Sequence, residues 1–168
     1  MNMMWAPWRE EYIQKAGKNK VACAFCRILK DKKDAKNYIF RRGTYAFAVL
    51  NIYPFNVGHA LVVPYRHVAD LADLTAEELA EVMSLVLAVK AQIQKTIKPD
   101  GFNIGINLGR AAGAGIPGHV HVHIVPRWAG DMNFMSVTGD VKVMPVSLKT
   151  VYERLLHAHK AGHRKARK

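Results

Sequence analysis

Three histidines alternate with apolar residues in the run His119-Val120-His121-Val122-His123-Ile124-Val125. Successive side chains of a strand point to opposite faces, so the three imidazoles share one face and Val120, Val122 and Ile124 the other. Alternate residues are spaced roughly 6.6–6.8 Å apart along a strand. That is close enough to line one pocket and far enough to allow separate tasks. With an ordinary pKa of about 6.5, a neutral imidazole near pH 7 can act as a nucleophile, a proton carrier or a metal ligand. A glycine-rich loop, Gly109-Arg110-Ala111-Ala112-Gly113-Ala114-Gly115, stands just upstream. Glycine allows backbone shapes whose amide N–H groups converge on an anion, and Arg110 offers a charge-assisted contact. Two blander readings stand beside this one: a solvent face that happens to be histidine, or a purely metal-binding cluster.

The two cysteines sit together as Cys23-Ala24-Phe25-Cys26. A pair so close makes no secreted disulfide framework. It reads as a metal half-site or a redox pair. Thiolates are common zinc ligands; the alternative is a reduced, metal-free pair.

The elements that position these residues follow from the pattern. Tyr38 to Arg41 and Tyr45 to Leu50 are aromatic and β-branched, as strands are, and Gly43-Thr44 between them suggests a hairpin. After the loop Tyr53 to Gly58, His59 to Val63 reads as a buried strand ended by Pro64. Thr75 and Glu78 form a capping box for the clearest helix. Leu79, Val82, Met83, Val86, Val89, Ile93 and Ile97 are its expected core face, and Pro99-Asp100-Gly101 its end. Phe102 to Asn107 and His119 to Val125 read as strands, the latter ended by Pro126-Arg127, and Ser147 to His159 as a final helix. This order predicts an α+β domain with an antiparallel meander sheet and two main helices.

Composition sets the frame. The length of 168 residues suits one domain, expected over 1–159 with the N-terminal segment 1–36 included, followed by a basic tail, 160–168. No apolar run approaches the roughly 18–20 residues of a membrane helix. The first residues carry no basic-then-apolar leader pattern, so a cytoplasmic protein is expected. The net charge of +12 suits a polyanionic ligand. The tail reads as a solvated end, or as a contact for nucleic acid.

The segment His119 to Val125 resembles the histidine-triad signature, three histidines alternating with apolar residues. The likeness extends over Asn51, Gly58-His59-Ala60-Leu61-Val62-Val63-Pro64 and Arg66-His67. Trp5-Ala6-Pro7-Trp8-Arg9, Pro126-Arg127-Trp128, Gly130-Asp131 and Asn133-Phe134 are similar to a branch that includes diadenosine tetraphosphate phosphorylases. The resemblance implies that His121 attacks the α-phosphorus of a nucleotide, forming a nucleotidyl-histidine resolved by water or by phosphate. It implies that His123 hydrogen-bonds a phosphate or leaving-group oxygen and that Asn51 contacts ribose. Asn107, and the amides of Gly113 and Gly115, would hold phosphate, and His59 stands near the site. It further implies zinc on Cys23, Cys26, His67 and His119, a sheet extended across a homodimer, and adenine nucleotides as substrates, with no organic cofactor. Asn51 could instead merely cap a turn.

One departure stands out. Many relatives carry a polar pair such as Gln-Ser before the triad, whereas this chain has Ala114-Gly115-Ile116-Pro117-Gly118. Three readings compete: cleavage of dinucleoside polyphosphates, hydrolysis of nucleoside phosphoramidates or adenylates, and a zinc-stabilised nucleotide-binding module without turnover.

Overall fold

The computed structural model describes residues 23–132 and 142–165. Trp5 to Arg9, Asn133-Phe134 and the side chains of the basic tail lie outside the described residues. Two short strands, β1 (Ile39–Arg42) and β2 (Ala46–Leu50), form the expected hairpin, and β3 (Ala60–Pro64) pairs antiparallel with β2. Helix α1 (Ala24–Asp31) precedes them and begins at the cysteine pair; no periodicity long enough to announce it is visible in eight residues. Helix α2 (Ala76–Ile97) then carries the chain to the far edge, where β4 (Gly101–Ile106) runs antiparallel to β5 (Val122–Arg127). The sheet order is β1-β2-β3-β5-β4, every pairing antiparallel. The meander therefore holds from β1 to β3, and β5 inserts between β3 and the edge strand β4.

The Thr75–Glu78 capping box forms as expected. The core stripe of α2 is Val82, Leu85, Val86, Val89 and Ile93, packed over β2, β3 and β5. Leu79 and Met83, expected in that stripe, are 39% and 45% exposed. At about 100° per residue, Met83 stands a quarter-turn and more from Val82, beyond the width that the sheet covers. The helix ends before Pro99, at Lys98 in the left-handed conformation. Helix α3 (Leu148–Lys165) runs six residues beyond the expected His159 and packs on α2.

β5 begins three residues later than the alternation suggests, at Val122. Its ladder with β3 pairs Ala60 with Ile124, Leu61 with His123 and Val62 with Val122. Continuing that register would set Val120 opposite Pro64, which has no N–H to give. Val120 N–H instead donates to the Val68 carbonyl at 2.7 Å. At the other end β5 runs on through Pro126 to Arg127, opposite Phe102 and Gly101 of β4.

A second apolar cluster, Phe25, Ile39, Phe47, Val49, Leu61 and Val63, fills the sheet face opposite α2, with Ile28 and Leu29 of α1 against it. The histidines lie on this second face. No helix among the described residues is long and apolar enough to cross a membrane.

Candidate active site

His121 is buried, and its Nδ1–H donates to the carbonyl of His119 at 2.8 Å. That bond assigns the proton to Nδ1 and leaves the lone pair on Nε2, the atom a nucleophile needs. Burial lowers the pKa of His121, against the opposing pull of its bond to the His119 carbonyl, so the ring is neutral at pH 7. Phe25 stands edge-on to His121 at 5.1 Å and to His119 at 5.3 Å, fixing both rings from the α1 side.

His123 is arranged the other way round. The N–H of Phe55 and the side-chain amide of Asn51 both donate to His59 Nδ1, at 3.1 and 3.3 Å. His59 therefore carries its proton on Nε2 and donates it to His123 Nδ1 at 3.0 Å. His123 is left with its proton on Nε2, a buried position without a partner among the described residues. Burial, followed by the neighbouring imidazoles, pushes His59 down to about 3 and His123 down to about 4, so the relay is uncharged at neutral pH. The rings of His121 and His123 lean together to 4.9 Å between centroids, closer than the strand repeat alone would place them.

His123 opens onto a cleft of about 340 Å³ that Asn107, Asn103 and Phe55 also line. Phe55 was not singled out by the sequence. Its ring lies nearly parallel to His123 and tilted on His59, and its position after Pro54 in a punctuated loop was the available signal. Asn56 was missed as well. It is buried and donates to Asp131 and to the Pro126 carbonyl, tying the loop that carries Phe55 to the end of β5. Asn51 closes the turn considered for it, its Oδ1 accepting from Tyr53 N–H, and its side-chain amide also donates to His59. Gly113 takes up positive φ, and its N–H is given to the Arg110 carbonyl within the loop, so that amide is engaged locally. Gly115 is exposed in the same loop.

On the other side of His121, four ligating atoms from Cys23, Cys26, His67 and His119 lie within 4.8 Å of one another. Helix α1 places the cysteines one turn apart, the turn after β3 supplies His67, and the strap before β5 supplies His119. His119 is fully buried, and its Nε2–H donates to the Pro64 carbonyl at 2.9 Å, which turns the Nδ1 lone pair to the cysteines. The separations are 3.3 Å for Cys23 Sγ to His119 Nδ1, 3.4 Å for Cys26 Sγ to His67 Nδ1, and 3.3 Å between the two Nδ1 atoms. Tetrahedral zinc, with bonds of about 2.3 Å to sulfur and about 2.05 Å to nitrogen, requires roughly 3.6 Å for S···N and roughly 3.3 Å for N···N. The donor types and their spacing fit a tetrahedral metal ion. The carbonyl behind His119 would be the outer partner that orients the imidazole on such a metal.

A model described as the HIT domain matches residues 32–130, more than half of the chain. The chain belongs to the HIT domain family. The AP-4-A phosphorylase of Mycobacterium tuberculosis is 40% identical over 156 residues, which cover 89% of this chain and 80% of that one. An asymmetrical bis(5'-nucleosyl)-tetraphosphatase of Schizosaccharomyces pombe is 41% identical over 95 residues, 56% of this chain and 52% of its own. Among solved structures, a zinc-bound histidine triad family protein from Mycobacterium smegmatis superposes with a TM-score of 0.68 at 27% identity, over 86% of this chain and 97% of that one. The HIT domain as matched begins at residue 32, after the cysteine pair and α1.

Proposed function

We propose that this HIT protein is a nucleotidyl transferase that cleaves dinucleoside polyphosphates, diadenosine tetraphosphate foremost, through a nucleotidyl group on His121. The observation that carries the reading is the pair of opposed ring nitrogens: a lone pair on His121 Nε2 beside a proton on His123 Nε2. The likeness to a phosphorylase and a tetraphosphatase supports the substrate class. His121 Nε2 forms a bond to the α-phosphorus as the bond to the bridging oxygen breaks. His123 hydrogen-bonds that oxygen, so the leaving polyphosphate departs with its charge stabilised. His121 keeps its Nδ1 proton against the His119 carbonyl throughout, and this steadies the imidazolium character of the intermediate. An oxygen of phosphate, or water, then attacks phosphorus, and the N–P bond breaks to restore the neutral ring. No organic cofactor enters this sequence.

Zinc is the metal that two thiolates and two imidazoles in a tetrahedral array favour. Held by Cys23, Cys26, His67 and His119, it would have no open position for substrate and would tie α1 to the strap that carries His121. A homodimer fits the open edge of β4, where Ile104 is 43% exposed, and the exposed Leu79, Met83 and Leu87 of α2. The Lys90 ammonium, 5.7 Å from the Phe102 ring, places that flank of the helix beside the edge strand.

Turnover of diadenosine tetraphosphate with and without phosphate, for wild type and His121→Ala, tests the proposal. ADP and ATP formed only with phosphate mark a phosphorylase; AMP and ATP without it mark a hydrolase. His121→Ala is expected to lose on the order of 10⁴-fold or more in kcat. Nucleotide binding with no wild-type turnover overturns the proposal.

A further inference from the structure

The face of the sheet that carries the histidines does not end at His123. Beyond it, Val125 and Arg127 follow on the same side of β5, and the register sets Gly105 opposite His123, Asn103 opposite Val125 and Gly101 opposite Arg127. Directly opposed residues of an antiparallel pair present their side chains to the same face. The β4 half of this floor is therefore glycine, asparagine, glycine. Among the described residues, a Cβ built at Gly101 or at Gly105 meets nothing within 4 Å. Neither glycine is needed for a positive φ, so the strand itself does not require them. Glycine weakens a strand interior and is most useful where something else approaches closely.

The resulting trough is the cleft of about 340 Å³ noted above. His123 stands at one end, Arg127 and Lys142 line it farther on, and Phe55 and Met132 form apolar walls. Between His123 and Arg127 the strand advances roughly 13 Å, at about 3.3 Å per residue, enough for a chain of phosphates rather than a single one. Arg127 is fixed in advance: its guanidinium donates to both oxygens of Asp131 and to Asn103 Oδ1, at 2.6, 3.0 and 2.8 Å. A preset guanidinium loses little freedom when an anion arrives.

Direction follows from what reaches His123 from each side. His59 approaches from the β3 side and brings Asn51 with it. Among the described residues the β4 side is the open one. We propose that this trough receives the polyphosphate of the departing half of the substrate, with Gly105 keeping its floor open beside His123 and Lys142 meeting the distal charge. The assignment rests on the nucleotidyl-transfer reading above and goes beyond it by naming Gly105 and Lys142 as determinants of leaving-group choice.

The test compares two substrates in the full chain. One is diadenosine tetraphosphate. The other is an adenosine phosphoramidate with a small alkylamine leaving group, which has nothing to place in the trough. The quantity read is the ratio of kcat/KM for the first to that for the second, in wild type, Gly105→Phe and Lys142→Ala, each shown folded by a thermal melt. Both variants are expected to lower the ratio about tenfold or more, Gly105→Phe by filling the trough and Lys142→Ala by removing charge. The Lys142→Ala effect should shrink at high salt. An unchanged ratio, or equal loss on both substrates, overturns the trough assignment while the nucleotidyl-transfer reading stands. A wild type that turns over neither substrate removes that reading, and the assignment with it.

Discussion

His119 and His123 are the same residue type, two positions either side of His121, and both are neutral, the first buried and the second half-buried. They do opposite things. His119 gives its Nε2 proton to a backbone carbonyl and turns an Nδ1 lone pair into a cluster of sulfur and nitrogen. His123 accepts at Nδ1 from another histidine and keeps a buried Nε2 proton without a partner among the described residues, on a ring that lines the cleft. One end of the triad is therefore a place for a cation and the other a place for an anion. Which ring nitrogen is anchored, and by what, decides the role; the spacing of the motif alone does not.

The largest separation between the two ends should appear on metal removal. Chelation, or His67→Ala, is expected to lower Tm by about 10 °C, the shift that a loss of about 3 kcal/mol produces in a domain of this size. Differential scanning calorimetry with metal analysis checks this. An equal Tm for loaded and stripped protein would break the contrast, since the cluster would then be no anchor. At the cleft end, His59→Ala is expected to lower kcat about 10- to 100-fold with little change in KM. His59→Asn, whose amide can still donate to His123, should recover part of that loss. A fall in Tm with unchanged kcat would make His59 a packing residue only.

The most gradual effect is one of pH. Burial holds His59 near 3 and His123 near 4, below the ordinary value of about 6.5. Between about pH 6.5 and 4 the unfolded chain binds protons that the folded chain refuses, so stability is full above that window and falls as the pH drops through it. Denaturant midpoints across the window should follow this slope in wild type and flatten in a His59→Asn, His123→Asn double variant. Identical slopes would assign the acid sensitivity to other groups.

Much of the site was legible in the sequence because its signals are local. The alternation of His119, His121 and His123 with valines, the Thr75–Glu78 box and the Cys23–Cys26 pair each reside within a few residues. What was not legible depends on pairing across the chain. That β5 starts at Val122 follows from the register that sets Val120 opposite Pro64, 56 positions earlier in the chain. Leu79 and Met83 read as core because helical periodicity marks a stripe without saying how wide a sheet will cover it. Asn56 looked like an ordinary loop residue until the fold joined it to Asp131 at 2.7 Å.

The absent hydrogen on Pro64 reaches further than the ladder it interrupts. With no N–H there, the carbonyl of the same residue is left to receive the His119 ring, and the chain through Val120 bends away to Val68. A seven-residue histidine motif grafted onto the middle of some other regular sheet would present three equivalent imidazoles and none of this division of labour. To transplant the chemistry, an engineer would have to copy the neighbouring strand as well, and above all its proline.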